Sequence, residues 1–385
     1  MSVREINFND IQELYLSEPG WVKSSSWVKP VPHRVYKVKT IWCEVNKFDT
    51  EVHRRYRHFI WLRKMLIREF EHWAVPVLPE KTIFERVCAH KSDFIKERMR
   101  KMKHFLTLLR SHKTLKESDY FKTFLCESDQ IFKSTIKNLT LLEEDKIPVV
   151  QKAKGWFSAA SESFGNIISK ANKMGEAIIP SIKNLLSSSD ELYDSGDLLV
   201  KKYSEKLELL HQSFIDVYKL ATEIHARRSE ECKVERGFHH ALDNLKSANN
   251  ESLAKLLSKN AQSSKIWGDD AYKNLVELEE LLYATESHIV WIESVQDLIE
   301  RKNSLWEKLL TVQNEMKESP LNHHEIESWR YLLDLTKRRD KIIRGIRKEM
   351  EKLSIGTKDF YPRYIETKFI KSQLEFYTNS LILYQ

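Results

Sequence analysis

The stretch "TEVHRRYRHFIW" (residues 50–61) changes its period halfway along. Its first half alternates like a strand with one buried face. Its second half runs into "FIWLRKMLIREF", where Phe59, Leu62, Leu66 and Phe70 recur at three- and four-residue spacing, the pattern of an amphipathic helix. Arg54, Arg55 and Arg57 surround Tyr56 at the junction. Three guanidiniums gathered at a strand end call for an anion. His53 and His58 flank the cluster with no acid or nucleophile partner beside them, and they read as surface residues.

Neighbouring segments extend the pattern. "RVYKVKTIW" (34–42) has the alternation and β-branched content of a second strand. "VPVLPEK" (75–81) carries two prolines and is excluded from helix. "DFIKERMRKMKHFLTLLRSH" (93–112) resumes a helix, with Phe94, Met102, Phe105 and Leu109 on one side. Strand, strand, helix, proline turn, helix predicts a compact α+β domain of about 120 residues.

Charge singles out the same region. Residues 1–127 hold 25 Lys/Arg against 16 Asp/Glu, a net of +9, whereas the remaining 258 residues carry −2 of the chain's total of +7. An anionic partner is therefore expected at the N-terminal third. "MSVREINFND" is too polar for a secretory signal, and no run of about 18 apolar residues exists to span a bilayer. The four cysteines, Cys43, Cys88, Cys126 and Cys232, are scattered without a CxxC pair and read as reduced thiols.

Residues 128–154 read as a polar connector. After it, Trp156, Ala160, Phe164, Ile167, Ala171, Met174, Ile178, Ile182 and Leu185 advance by threes and fours opposite a serine-rich face. That spacing predicts an amphipathic helix over 155–186. Only 9 glycines in 385 residues, against a usual share of about 7%, favour long helices beyond it. Leu199, Tyr203, Leu207, Leu210, Phe214, Val217, Ala221 and Ile224 keep one period; Leu275, Leu278, Leu282, Thr285, Ile289, Ile292, Val295 and Ile299 keep another. Ile343, Ile346, Met350 and Leu353 continue the pattern, with Phe360, Tyr364, Phe369, Leu374, Tyr377 and Leu381 beyond. Breaks near "SANNES" and "KESPLNHH" divide the region into three long helices, with Pro362 a candidate kink in the last. Spacing near 3.5 residues implies helices wound around one another, and a lone three-helix coil leaves apolar surface for a second copy to cover.

Catalytic motifs are missing. There is no GxGxxG, P-loop or GxSxG, and "HHEIE" lacks the second histidine of a zinc-binding HExxH helix. The sequence thus predicts a protein that is not an enzyme, with no cofactor and no metal. Nucleic acid is not an expected partner either, because no RNP motif or zinc finger accompanies the basic third and its aromatics fall at core spacing.

"RRYRHFIWL", "VPVLPEK" and "FIKERMRKMKHFLTLLRSH" together resemble, in order and spacing, the phox-homology (PX) domain. The resemblance covers residues 5–127 and takes in an R-R-Y-x-x-F junction, a P-x-x-P-x-K loop and an F-I-x-x-R helix. With a long helical region following, the chain resembles a PX–BAR sorting nexin: a small antiparallel sheet plus helices, then an elongated all-α three-helix BAR coiled coil over 187–385. The resemblance implies binding of phosphatidylinositol 3-phosphate on endosomes. In that family Arg55 matches the residue on the 3-phosphate, Tyr56 the ring under the inositol, Lys81 the 1-phosphate contact, and Arg98 the contact to the 4- and 5-hydroxyls. Ile83 and Phe84 form a short membrane wedge after Pro79, and Trp156, Phe157, Phe164, Ile167 and Ile168 are the inserting side of the amphipathic helix. Lys337, Arg338, Arg339, Lys341, Arg344, Arg347 and Lys348, from a run with eight basic and three acidic residues, make a basic BAR surface for anionic lipid. Implied partners are the anionic membrane, a second BAR-type sorting nexin in a homodimer or heterodimer, and cargo or a retromer-like complex. The implied location is cytoplasmic and peripheral on endosomes. A coiled-coil scaffold without specific lipid binding is the alternative.

Overall fold

The computed structural model describes residues 11–22, 33–42, 49–79, 92–144, 195–248, 251–318 and 325–384. Contacts divide the chain into two compact units, Met1–Leu199 and Val200–Gln385.

In the first unit, strands β1 (Ile11–Val22), β2 (His33–Trp42) and β3 (Thr50–Arg54) form an antiparallel sheet in the order β1-β2-β3. The alternation read in the sequence is physical. Tyr36, Val38, Val52, Leu14 and Leu16 fall on the buried face, while Lys37–Glu51 and Lys39–Asp49 pair across strands on the other at 2.8 and 3.1 Å. Strand β1 was not foreseen. Its "IQELYLSEPGWV" carries Pro19 and Gly20 inside the run, and the register shifts between Ser17 and Gly20. Such an irregularity breaks the period-2 signal that identifies strands.

Helices α1 (Tyr56–Glu69) and α2 (Ser92–Ser111) lie where the apolar spacing set them. A 3₁₀ turn at Leu115–Glu117, α3 (Asp119–Cys126) and α4 (Asp129–Glu144) complete the unit. Ser118 caps α3 by accepting from the Tyr120 N–H at 3.2 Å. One apolar core joins the sheet to Phe59, Leu62 and Leu66 of α1, Met102, Phe105, Leu106 and Leu109 of α2, Phe121, Phe124 and Leu125 of α3, and Phe132 of α4. Each such side chain, taken fully out of water, contributes about 1.5–3 kcal/mol. The residues read as a polar connector thus begin as a helix whose Phe132 belongs to this core. Phe132, Ile136 and Leu139 stand at helical spacing, a period that the connector reading passed over.

The second unit comprises α5 (Ser195–Ala248), α6 (Glu251–Glu318) and α7 (Glu325–Phe360), the last continued by a π-helical segment (Tyr361–Lys371) and α8 (Ser372–Tyr384). The 54 and 68 residues of α5 and α6 correspond to about 80 and 100 Å of helix. Helix ends coincide with the two breaks read in the sequence. Buried positions keep the expected period: Val200, Leu207, Phe214, Ala221 and Arg228 recur every seventh residue on α5, and Leu278, Thr285, Ile292 and Ile299 do so on α6. Phe214, His288 and Phe360 pack as a triad, with Phe214 and His288 stacked at 4.8 Å and both rings 5.0 Å from Phe360. Thus α5, α6 and α7 meet at one point.

Past Phe360 the period slips. Leu374, Tyr377 and Leu381, expected inside, are exposed, and Phe376 is buried instead against Trp267 at 5.2 Å. Pro362 lacks the N–H that an α-helical bond needs, and the chain answers with wider π turns. Fewer degrees per residue rotate the following helix out of the phase extrapolated from α7.

Candidate functional site

The basic junction resolves into residues with separate tasks. Strand alternation turns Arg54 inward, where it is fully buried. Its guanidinium donates to the carbonyls of Phe124 (2.8 Å), Thr123 (3.4 Å), Glu127 (2.6 Å) and His53 (3.2 Å), and to Asp129 Oδ1 (3.0 Å). The Phe132 ring lies 4.0 Å from its Cζ. Burial pushes its pKa down to about 10, opposed by Asp129, so it stays a cation at neutral pH. Arg54 therefore supports the fold.

Arg55 sits in extended backbone (φ −89°, ψ 156°) as the N-cap of α1. Its N–H donates to His58 Nδ1 at 3.1 Å, the back-bond that a Glu or Gln makes in a capping box. This corrects the surface reading of His58, which is buried edge-on to Phe132 at 5.1 Å. Desolvation first, then Arg57, Arg54, Arg55 and Lys133, push His58 down to about 3. It is neutral, with Nδ1 free to accept. Burial and then Arg57 lower the pKa of Arg55. Among the described residues no carboxylate pairs with the Arg55 guanidinium, and the first turn of α1 holds no acidic residue.

Tyr56, the first residue of α1, donates its hydroxyl to the Pro79 carbonyl. The Arg98 guanidinium of α2 stacks over the Tyr56 ring at 3.8 Å. Arg63 Nε holds the same proline-rich stretch through the Pro76 carbonyl at 3.0 Å. Two of the four expected headgroup residues, Tyr56 and Arg98, thus meet from two helices, with Arg55 the residue before Tyr56 in the chain. Lys81 lies outside the described residues, as do Ile83, Phe84 and the whole of 155–186 with Trp156, Phe157, Phe164, Ile167 and Ile168. A partly buried cation that meets no carboxylate among the described residues, at a helix N-terminus and next to a ring, suits an anion attached to a flat-faced group. Cys126, also in this unit, has its thiol pushed up to about 12 by burial and is poorly reactive.

On α7, Lys337, Lys341, Arg344 and Lys348 are exposed and share one stripe by helical spacing; Arg347 is exposed beside them. Arg338 pairs with Asp334 at 3.8 Å. Arg339 leaves the set. It is 8% exposed, bonded to Asp340 at 3.0 Å and 5.2 Å from the Trp306 ring. The reason is its phase, since Leu335, Arg339, Ile342 and Ile346 form the buried stripe of α7.

Sequence reading missed Asp129 and Phe132 as supports of the junction. "ESDQIF" (127–132), a serine and an aspartate ahead of an apolar pair, was a helix-start signal that could have revealed them.

Comparison with known proteins bears on the fold. Residues 44–128 match the PX domain model. The chain is 26% identical over 159 residues to Sorting nexin-4 of Eremothecium gossypii, covering 41% of this chain and 32% of that protein. It is 24% identical over 183 residues to human Sorting nexin-7, covering 47% and 40%. The matched segments therefore span well under half of these relatives. The cryo-EM structure of the SNX-BAR Mvp1 tetramer superposes with a TM-score of 0.55 at 14% identity, over 96% of this chain and 99% of that one. Residues 44–128 thus match a PX domain, and the chain, with its long helical region, shares the fold of that SNX-BAR structure. Among the described residues no helix is long and apolar enough to cross a membrane.

Proposed function

We propose that this protein is a peripheral membrane protein that binds phosphatidylinositol 3-phosphate on endosomal membranes and senses or induces curvature during sorting. The observation that carries this reading is Arg55, whose guanidinium has no acidic partner among the described residues beside the Tyr56–Arg98 stack. Arg55 grips the 3-phosphate, the Tyr56 ring lies under the inositol, and Arg98 bonds its hydroxyls. Lys81 supplies the 1-phosphate contact. Exposed cations at Lys337, Lys341, Arg344, Arg347 and Lys348 add attraction to anionic lipid, about 1 kcal/mol each near the surface. A pair of chains joined through their long helices turns weak single contacts into avidity, and residues 155–186 insert as an amphipathic wedge.

Liposome flotation tests the pocket. With phosphatidylinositol 3-phosphate in the vesicles, Arg55→Ala weakens binding by about tenfold or more, the loss of charge-assisted hydrogen bonds. Undiminished, lipid-selective binding by the variant would sink the assignment. Wild-type protein indifferent to every phosphoinositide would favour a coiled-coil scaffold.

A further inference from the structure

The PX match ends at residue 128, and the next residue, Asp129, begins α4. Its Oδ1 accepts from two consecutive residues at the end of β3: the main-chain N–H of His53 at 3.1 Å and Nη1 of Arg54 at 3.0 Å. The remaining acceptors of the Arg54 guanidinium are main-chain carbonyls, of Thr123, Phe124, Glu127 and His53. Asp129 therefore supplies the side-chain acceptor and the counter-charge, at 3.0 Å. One turn later, Phe132 closes over the guanidinium at 4.0 Å. Arg54 is itself fully buried and joined by one peptide bond to Arg55. Wherever Arg54 is anchored, the N-cap backbone of α1 and the root of the Arg55 side chain must follow.

We propose that Asp129 is a positioning residue for the headgroup site, acting through Arg54 to hold Arg55 in register for the phosphate. The inference rests on the phosphoinositide reading above. It makes α4, a helix beginning just past the matched domain, a working part of the anion site. The sign of the effect separates this role from a field effect. A carboxylate near a phosphate site repels the ligand, so removing its charge alone strengthens binding. Loss of a positioning contact weakens it.

The test titrates the full-length protein with soluble short-chain phosphatidylinositol 3-phosphate, below the melting temperature of each variant. Asp129→Ala is expected to bind about fivefold more weakly or worse, an ordinary size for coupling between contacts. Phe132→Leu, which changes no charge, loses about threefold on the same scale. Asp129→Asn keeps the acceptor oxygen and stays within about twofold of wild type. Folded Asp129→Ala and Phe132→Leu proteins that bind as tightly as wild type, or more tightly, overturn the proposal. So does an Asn variant as defective as the Ala variant. If Asp129→Ala does not fold, Phe132→Leu and Asp129→Asn decide alone. Arg55→Ala runs in parallel. If it binds like wild type, the phosphoinositide reading fails and takes this inference with it; if it alone loses binding, only the role of Asp129 falls.

Discussion

Arg54 and Arg55 are neighbours in different environments: strand alternation turns Arg54 into the core, while Arg55 is the N-cap of α1. Arg54 is completely enclosed and satisfied by carbonyls and Asp129, whereas no carboxylate among the described residues pairs with the Arg55 guanidinium. His58 secures the boundary between them. Its folded pKa is about 3, against 6.5 for the ordinary imidazole. Between those values the unfolded chain binds the extra proton, so this contribution is complete above about pH 6.5 and declines as pH falls toward 3. At about 1.4 kcal/mol per pH unit, the loss is roughly 1–2 kcal/mol by pH 5. His58→Gln keeps an acceptor for the Arg55 N–H, as a capping-box residue does, but does not titrate. Urea unfolding from pH 7 to 5 should show a shallower pH slope for the variant than for wild type. Equal slopes would mean that His58 is not the group responsible.

At the scale of elements, the π segment has the clearest consequence. It exchanges the inside and outside of α8, so that Phe376 is 3% exposed and Leu374 is 66% exposed. Phe376→Ala should therefore destabilise the helical region by about 3–5 kcal/mol, the cost of emptying an aromatic site. Leu374→Ala should cost under about 0.5 kcal/mol in dilute protein, as expected of an exposed position. Denaturation followed by helical circular dichroism compares them, and equal losses would contradict the phase shift. A polar cluster fixes the same register. Arg228 Nη2 donates to Gln373 at 3.1 Å, Gln373 to Asn274 at 2.8 Å, and Asn274 to Ser372 at 2.8 Å. Arg228 also covers the Phe376 ring at 4.0 Å. A buried polar group tolerates one alignment only, since any slip leaves it unsatisfied.

For the whole molecule, the long helices leave large apolar side chains in water, among them Leu209, Leu220, Val234, Phe238 and Leu381. These are the positions at which a second copy, paired through the long helices as proposed, buries apolar surface. Light scattering should report a dimer at micromolar concentration, and Phe238→Glu should shift it toward monomer; a wild-type protein that stays monomeric would count heavily against BAR-type pairing. Much of the architecture was legible beforehand. Periodicity located α1 and α2, the SANNES and KESPLNHH stretches marked both breaks between the long helices, and six of the eight positions expected inside α6 are buried, because apolar side chains must repeat with the backbone period to reach a common core. The motifs at residues 54–59 and 94–106 selected Arg55, Tyr56 and Arg98. Other features depended on partners far away in the chain. The ion pair of Arg54 is 75 residues off at Asp129, Arg339 was hidden by its phase against α6 and Trp306, and a single proline reset the phase of α8. Local order obeys short-range period and is written along the chain. Burial of a charge, or rotation of a helix, is decided only when distant segments meet and offer it acceptors or take them away.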